Sequence, residues 1–308
     1  MPKRKAKDIS KDVLTLQSKV KLNSGYQMPT LGFGVWSISP AQTEQACEHA
    51  LDAGYRLIDT ASVYKNEAEC GAAIRAAIKS GALKREDVFL TTKVSTPLNG
   101  YGAAKESINT SLKKLGLDYI DLVLLHGPYG GSENRKGAWK ALVEAADEGK
   151  VRSIGISNYG VQHLDQLEEH IKELQAERGG KPGAGGIISV GQWEAHPWCV
   201  RNDIEEWCRK RNIVFEAYSP LARGFRMKDK TLKGVAETYR KTPAQILIRW
   251  SLQKGFVPLP KSNKKARIKA NVEVFDFDIA EEDLRRLDTK EFKTTFWDPT
   301  VIGLEETL

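Results

Sequence analysis

Seven short apolar runs in this chain each lead to a polar side chain able to give, take or stabilise a proton. Tyr55-Arg56-Leu57-Ile58 runs into Asp59 and, five residues later, Tyr64. Val88-Phe89-Leu90 leads to Lys93, and Ile120-Asp121-Leu122-Val123-Leu124-Leu125 to His126. Ser157 with Asn158, then Gln192, Tyr218 and Lys261 follow later runs. A carboxylate, a phenol, an ammonium and an imidazole brought together make a proton-transfer device. A free tyrosine has a pKa of about 10. A neighbouring ammonium lowers it by favouring the phenolate, and a carboxylate partner keeps that ammonium charged when partly desolvated. Asp59, Tyr64 and Lys93 can supply those three functions, and His126 can orient a carbonyl oxygen and stabilise charge growing on it. The chemistry they suit is reduction of a carbonyl by a nicotinamide, where the nascent alkoxide needs a proton from a group about 3 Å away.

The elements that must position these groups alternate regularly. A turn signal, Asn23-Ser24-Gly25, between Val20-Lys21-Leu22 and Gln27-Met28 predicts a short hairpin. Strands are expected at Leu31–Gly34, from Tyr55 to near Asp59, from Val88 to Lys93, and at Ile120–Leu125, Val151–Ile156, Ile187–Val190, Ile213–Ala217 and Phe256–Leu259. Between them, helices are expected from Pro40 to Ala53, Glu67 to Lys79, Ala103 to Lys114, Arg135 to Glu148, Val161 to Ala176 and Val200 to Lys210. Gly54, Gly81, Gly116 and Gly149 stop the first four. A helical region from Leu232 to Gln253 is divided near Pro243, and a last helix, Ala280 to Leu287, precedes an aromatic tail with Phe292, Phe296 and Trp297. Residues 178–186, rich in glycine, read as a mobile surface loop. Eight such repeats with continuous apolar strands predict a (β/α)8 barrel, a TIM barrel, carrying the N-terminal hairpin and a C-terminal aromatic loop. Residues just past the strand ends of a barrel converge on one face. That convergence is what unites the seven polar positions.

Composition narrows the field. The chain has 308 residues, 41% of them hydrophobic, which suits one barrel spanning residues 13–308 behind a basic, disordered tail, residues 1–12. No apolar stretch nears the roughly 18 residues of a membrane span, and the first residues lack the apolar core of a secretory signal. The net charge of +7 is concentrated in that tail and in Lys261–Lys269, with no nucleic-acid motif beside either. Four cysteines without a Cys-x-x-Cys pair read as buried thiols in a reducing, cytoplasmic compartment. Cysteines and histidines show no zinc-ligand spacing, so no metal is expected. Absence of Gly-x-Gly-x-x-Gly after the first strand removes the main support for an open dinucleotide-binding sheet.

A cofactor should lie across the face where the strands end. Tyr218 offers a flat ring to a nicotinamide, and Ser157, Asn158 and Gln192 can hydrogen-bond its carboxamide. Lys261, Ser262 and Arg267 follow the eighth strand, where barrel phosphate sites often form; two cations and a hydroxyl suit a 2′-phosphate. Trp36 and Trp297 are candidates for the substrate pocket. Taken singly, each residue has a plainer reading: Asp59 as a cap, Tyr64 as a packing ring, Lys93 as a solvated charge, His126 as structural. Only their joint placement argues for a site.

At these positions the sequence resembles the aldo-keto reductase superfamily over about residues 20 to 290. The segment from Gly54 to Tyr64, with Asn66, Glu67 and Gly71, is similar to that family's most specific signature. Leu259-Pro260-Lys261-Ser262 with Arg267 and Asn271 resembles its cofactor-phosphate motif, and Gly155–Tyr159 and Ala217–Leu221 also fit. The resemblance implies a (β/α)8 barrel using NADPH/NADP+, with Tyr64 as proton donor supported by Asp59, Lys93 and His126. It further implies contacts to the adenine end from Arg267 and Asn271, contacts to the pyrophosphate from Ser219 and Leu221, a small carbonyl substrate, and a monomer. Departures fall on the substrate side. Val94-Ser95-Thr96-Pro97 follows Lys93 where many members carry a tryptophan, and Trp193 to Trp198 follows Gln192 where smaller or different residues are common. Cys70 and Ala270 replace an aliphatic and a polar residue near the adenine. Two rival readings remain at this point. One is a regulatory or structural cofactor-binding barrel with little catalysis. The other is a glycosidase barrel built on Asp59 and Glu216.

Overall fold

The computed structural model describes residues 14–95, 100–289 and 291–306. The expected tail, residues 1–12, and Thr96 and Pro97 lie outside the described residues. The predicted hairpin is present: β1 (Lys19–Lys21) pairs antiparallel with β2 (Gln27–Pro29), Val20 opposite Met28. Eight parallel strands follow: β3 (Phe33–Gly34), β4 (Leu57–Asp59), β5 (Phe89–Val94), β6 (Ile120–Leu125), β7 (Val151–Ser157), β8 (Ile188–Glu194), β9 (Val214–Tyr218) and β10 (Val257–Leu259). Each pairs with its sequence neighbour. The ring closes where the Gly32 N–H donates to Pro258 O (3.0 Å) and the Gly34 N–H to Pro260 O (3.2 Å). Every residue of β4, β5, β6 and β8 is buried, as strands covered on both faces require. At Gly155 a Cβ would stand 2.0 Å from Val190 O, so β7 reaches β8 there only with glycine.

Helices cover the outside: α1 (Pro40–Asp52), α2 (Glu67–Lys79), α3 (Tyr101–Leu115), α4 (Gly131–Asp147), α5 (Val161–Glu177), α6 (Asn202–Lys210), α7 (Lys230–Thr238), α8 (Pro243–Gln253), α9 (Lys265–Ala270) and α10 (Glu281–Leu287). In α1 the buried positions Thr43, Ala46, Cys47, Ala50 and Leu51 recur at the spacing of one helical face. The expected division near Pro243 is a true break, with Pro243 opening α8. Thr242 Oγ1 accepts from the Gln245 N–H, and Gln245 Oε1 accepts from the Thr242 N–H. That reciprocal cap and a proline at the first helical position define a start.

Two composition-based expectations differ from the structure. Helix α4 begins at Gly131, four residues before Arg135. Gly127, Pro128 and Tyr129 ahead of it are buried, although their composition suggests a loose loop. Arg135 Nη1 donates to Pro128 O and Asn134 Nδ2 to Gly130 O, so side chains of α4 fold the loop inward. The glycine-rich segment is exposed over 179–183, but its end is fastened, because the buried Trp139 indole donates to Gly185 O. All four cysteines are free and buried.

Apolar packing separates floor from mouth. Leu22 and Met28 of the hairpin region join Leu57, Phe89, Leu122, Val190 and Val257 in one buried cluster inside the barrel. The hairpin thus plugs the end where the strands begin. The opposite end stays open.

Candidate active site

At the open end lies a cavity of about 820 Å³. Its wall is built by residues at or just beyond strand ends: Asp59 closes β4, Ser157 closes β7, Tyr218 closes β9, and His126 follows β6. Gln192, two residues inside the end of β8, also faces it. Of the four candidate acid–base residues, Asp59, Tyr64 and His126 line the cavity. Lys93, fully buried on β5, lies beneath them.

Lys93 Nζ donates to both Asp59 carboxylate oxygens at 2.7 Å and to Thr60 O at 2.9 Å. It stands 5.1 Å from the centre of the Tyr64 ring. Tyr64 is carried on the turn Ser62–Tyr64, and local bonds fix that turn. Ser62 Oγ donates to Lys93 O (3.0 Å), and Asn66 Nδ2 donates to Val35 O and Ile38 O while its Oδ1 accepts from Thr60. The His126 ring meets the Tyr64 ring edge-on at 5.7 Å. Phenol, ammonium, carboxylate and imidazole are therefore neighbours, from three consecutive strand ends.

Their electrostatics set burial against the expected pull of Lys93. Lys93 pulls the Tyr64 pKa down, through its charge and as a hydrogen-bond partner, but burial outweighs it and the net direction is upward. Tyr64 is thus a protonated phenol, ready to donate. Burial favours the neutral Lys93 amine, yet neighbouring charge, above all that of Asp59, and the hydrogen bonds to Asp59 more than offset it, and the ammonium persists. Burial, with Lys93 adding to it, depresses the His126 pKa to about 3. A neutral imidazole can donate one N–H to a carbonyl oxygen without competing for its proton.

The carboxamide candidates are bonded to one another. Ser157 Oγ donates to Gln192 O (2.8 Å), Asn158 Nδ2 donates to His126 O (2.9 Å), and Tyr218 Oη donates to Asn158 Oδ1 (2.8 Å). Gln192 Nε2 donates to Asp59 Oδ2 and to Glu216 Oε2, each at 2.9 Å. Its amide nitrogen is therefore occupied, and the carbonyl oxygen is what Gln192 can offer a ligand. Glu216 is fully buried, not on the cavity wall, and Gln192 stands between it and Asp59. Only Asp59 reaches the cavity, so the two carboxyls cannot flank a sugar bond, which removes the glycosidase reading.

Ser219, Leu221, Lys261, Ser262, Arg267 and Asn271 line the same cavity. Among the described residues, Lys261 and Arg267 have no carboxylate partner within 4.0 Å; many exposed cations share that, but these two face the cavity. Unpaired cations on a cavity wall suit an anionic ligand. Arg223 adds a third. It lies over the Trp36 ring at 4.8 Å and the Phe296 ring at 5.5 Å, and it helps depress the Lys261 pKa after burial. Sequence reasoning missed it, because an arginine after a Ser-Pro-Leu-Ala turn carries no pattern of its own.

Trp36 and Trp297 both line the cavity, and Trp297 also stacks on Tyr129 at 5.8 Å. What fixes this aromatic loop lies in the departure segment after Gln192. Buried Glu194 accepts from the Thr295 N–H (2.9 Å), the Thr295 hydroxyl (2.5 Å) and His196 Nε2 (3.0 Å). Arg201 donates to Asp298 and Thr300. The unusual residues are an anchor for the loop that walls the pocket.

A sequence model described as the aldo/keto reductase family matches residues 29–291. An oxidoreductase of Schizosaccharomyces pombe is 40% identical over 290 residues, covering 94% of this chain and 100% of that protein. The methylglyoxal reductase DkgA of Yersinia pestis is 39% identical over 273 residues, 88% of this chain and 92% of that one. Among solved structures, an aldo/keto reductase from Brucella melitensis superposes with a TM-score of 0.80 at 38% identity, over 90% of this chain and 99% of that chain.

Proposed function

The chain belongs to the aldo/keto reductase family, and from that premise we propose that it reduces an aldehyde or ketone to an alcohol with NADPH, Tyr64 giving the proton. Membership makes it an oxidoreductase whose chemistry is carbonyl reduction with a nicotinamide cofactor. The observation that carries the finer reading is the buried Lys93 ammonium, bonded to Asp59 and lying against the Tyr64 phenol on the cavity wall.

The cofactor, when bound, supplies hydride to the carbonyl carbon. Everything else falls to the protein. The neutral His126 imidazole donates an N–H to the carbonyl oxygen and fixes its direction. As charge grows on that oxygen, Tyr64 Oη passes it a proton, and the phenolate left behind is stabilised by Lys93, whose place Asp59 holds. Gln192, through its free carbonyl oxygen, and Asn158 orient the carboxamide, and Tyr218 provides a face for the ring. Lys261, Ser262 and Arg267 hold a 2′-phosphate, Asn271 and Arg267 the adenine end, and Ser219 and Leu221 the pyrophosphate. Residues 13–308 are read as the barrel unit that does this, as a monomer in the cytoplasm.

The substrate is small. Methylglyoxal, named for the Yersinia relative, is the first compound to try, followed by an aromatic aldehyde that the Trp36 and Trp297 rings can hold. Purified protein should consume NADPH when either is added. If no carbonyl compound in a broad panel is reduced while NADPH binds, the chain is a cofactor-binding barrel without catalysis, and this reading is lost.

A further inference from the structure

Beneath the acid–base residues sits a carboxyl that the reduction does not use. Glu216 on β9 is fully buried. Oε2 accepts from Gln192 Nε2 at 2.9 Å, and Oε1 has no partner. The same Nε2 donates its other hydrogen to Asp59 Oδ2, also at 2.9 Å. One amide nitrogen thus joins two carboxyl groups, one of which already pairs with Lys93. We propose that Glu216 is a positioning residue of this site, a neutral carboxylic acid that locks Gln192 beneath the cavity and whose ionisation weakens the Asp59–Lys93–Tyr64 proton donor. The proposal rests on the reading of Tyr64 as the acid.

Charge count is what keeps Glu216 neutral. Asp59 and Lys93 together are neutral, and the groups facing Glu216 are these two, from β4 and β5, and Gln192 from β8. On its other side β9 pairs with β10 at Val257, which offers no charge. Tyr218, two residues along β9, is bonded to Asn158 instead. A second carboxylate would leave this buried set with one uncompensated negative charge, and Glu216 Oε1 would have nothing to solvate it. Burying such a group unpaired favours the protonated form. Burial first, and then the Asp59 charge, push the Glu216 carboxyl up to about 8.

Two consequences follow. Gln192 cannot turn its amide over without setting its oxygen against Asp59, so its carbonyl oxygen stays directed at the ligand. When Glu216 releases its proton to solvent, the added charge holds the Lys93 ammonium more tightly and opposes a Tyr64 phenolate. Tyr64 then becomes a weaker acid, and reduction slows in the alkaline range.

The test uses the full chain twice. Without cofactor, the infrared spectrum of the wild-type protein should show the C=O band of a buried carboxylic acid at neutral pH. That band should vanish with a midpoint of about 8 and be missing from Glu216→Gln. With NADPH and an aldehyde, the alkaline fall of kcat/KM should move upward by about one pH unit in Glu216→Gln, whatever the height of the profile. A wild-type protein lacking the band at neutral pH overturns the proposal even if the variant fails to fold. So does a Glu216→Gln profile of unchanged shape. Neither result touches carbonyl reduction itself, which fails only if no substrate is turned over.

Discussion

Lys93 Nζ lies 2.7 Å from each carboxylate oxygen of Asp59, with the ammonium fully buried and the carboxylate nearly so at the edge of the cavity. Such a pair adds little net stability over apolar side chains of the same size, but removing one partner strands the other. Lys93→Met should therefore cost about 3–5 kcal/mol, and Asp59→Leu a similar amount. The double variant should lose much less than the sum. Denaturant unfolding of the three proteins decides it. Single variants within about 1 kcal/mol of wild type would mean that the ammonium is not held as described.

Tyr64→Phe keeps the ring beside Lys93 and His126 and deletes only the hydroxyl. If that hydroxyl delivers the proton, kcat should fall by about 10²–10⁴-fold, with NADPH affinity nearly unchanged. Fluorescence titration and steady-state rates separate the two quantities. Normal turnover in the variant would show that another group is the acid.

Much of the site was legible because barrel geometry does the assembling. Once eight apolar runs were read as staves, Asp59, Ser157 and Tyr218 at their last residues, and His126 just beyond, had to share a face. What sequence could not give was direction and charge. Nothing local says that Gln192 turns its amide nitrogen inward, since that follows from Asp59 and Glu216 arriving on strands far apart in the chain. The net rise of the Tyr64 pKa was likewise hidden, because it is a contest between burial and Lys93 whose outcome depends on packing. The Glu194–Thr295 anchor joins positions 101 residues apart. The burial of Gly127–Tyr129 is hidden for a related reason, since glycine composition describes the free chain and not the arginine that pins it.

Lys261 and Arg267 face the cavity without carboxylate partners among the described residues, so a phosphate there meets donors that are already free. A charge-assisted bond is worth about 1.5–3 kcal/mol. Lys261→Ala or Arg267→Ala should raise the NADPH dissociation constant about tenfold or more and leave that of NADH within about threefold. Binding of both cofactors in wild type and variants measures this. Equal losses for the two would remove the 2′-phosphate from these residues.

His163, buried at 0% exposure at the start of α5, accepts the Gly160 N–H at its Nδ1 (3.0 Å), which needs that nitrogen's lone pair. Burial, with Arg135 nearby, lowers its pKa to about 4, against about 6.5 in the unfolded chain. Between those values the unfolded chain binds the extra proton, so the stability tied to neutral His163 is fully present above about pH 6.5 and is lost as pH falls toward 4. One such group gives a slope of up to about 1.4 kcal/mol per pH unit. His126, depressed to about 3, acts in the same direction, but it borders the cavity, where water weakens its share. Unfolding free energies followed from about pH 7 to 5 should decline in the wild type and decline less steeply in His163→Gln. Parallel curves would show that His163 takes up its proton without leaving the fold.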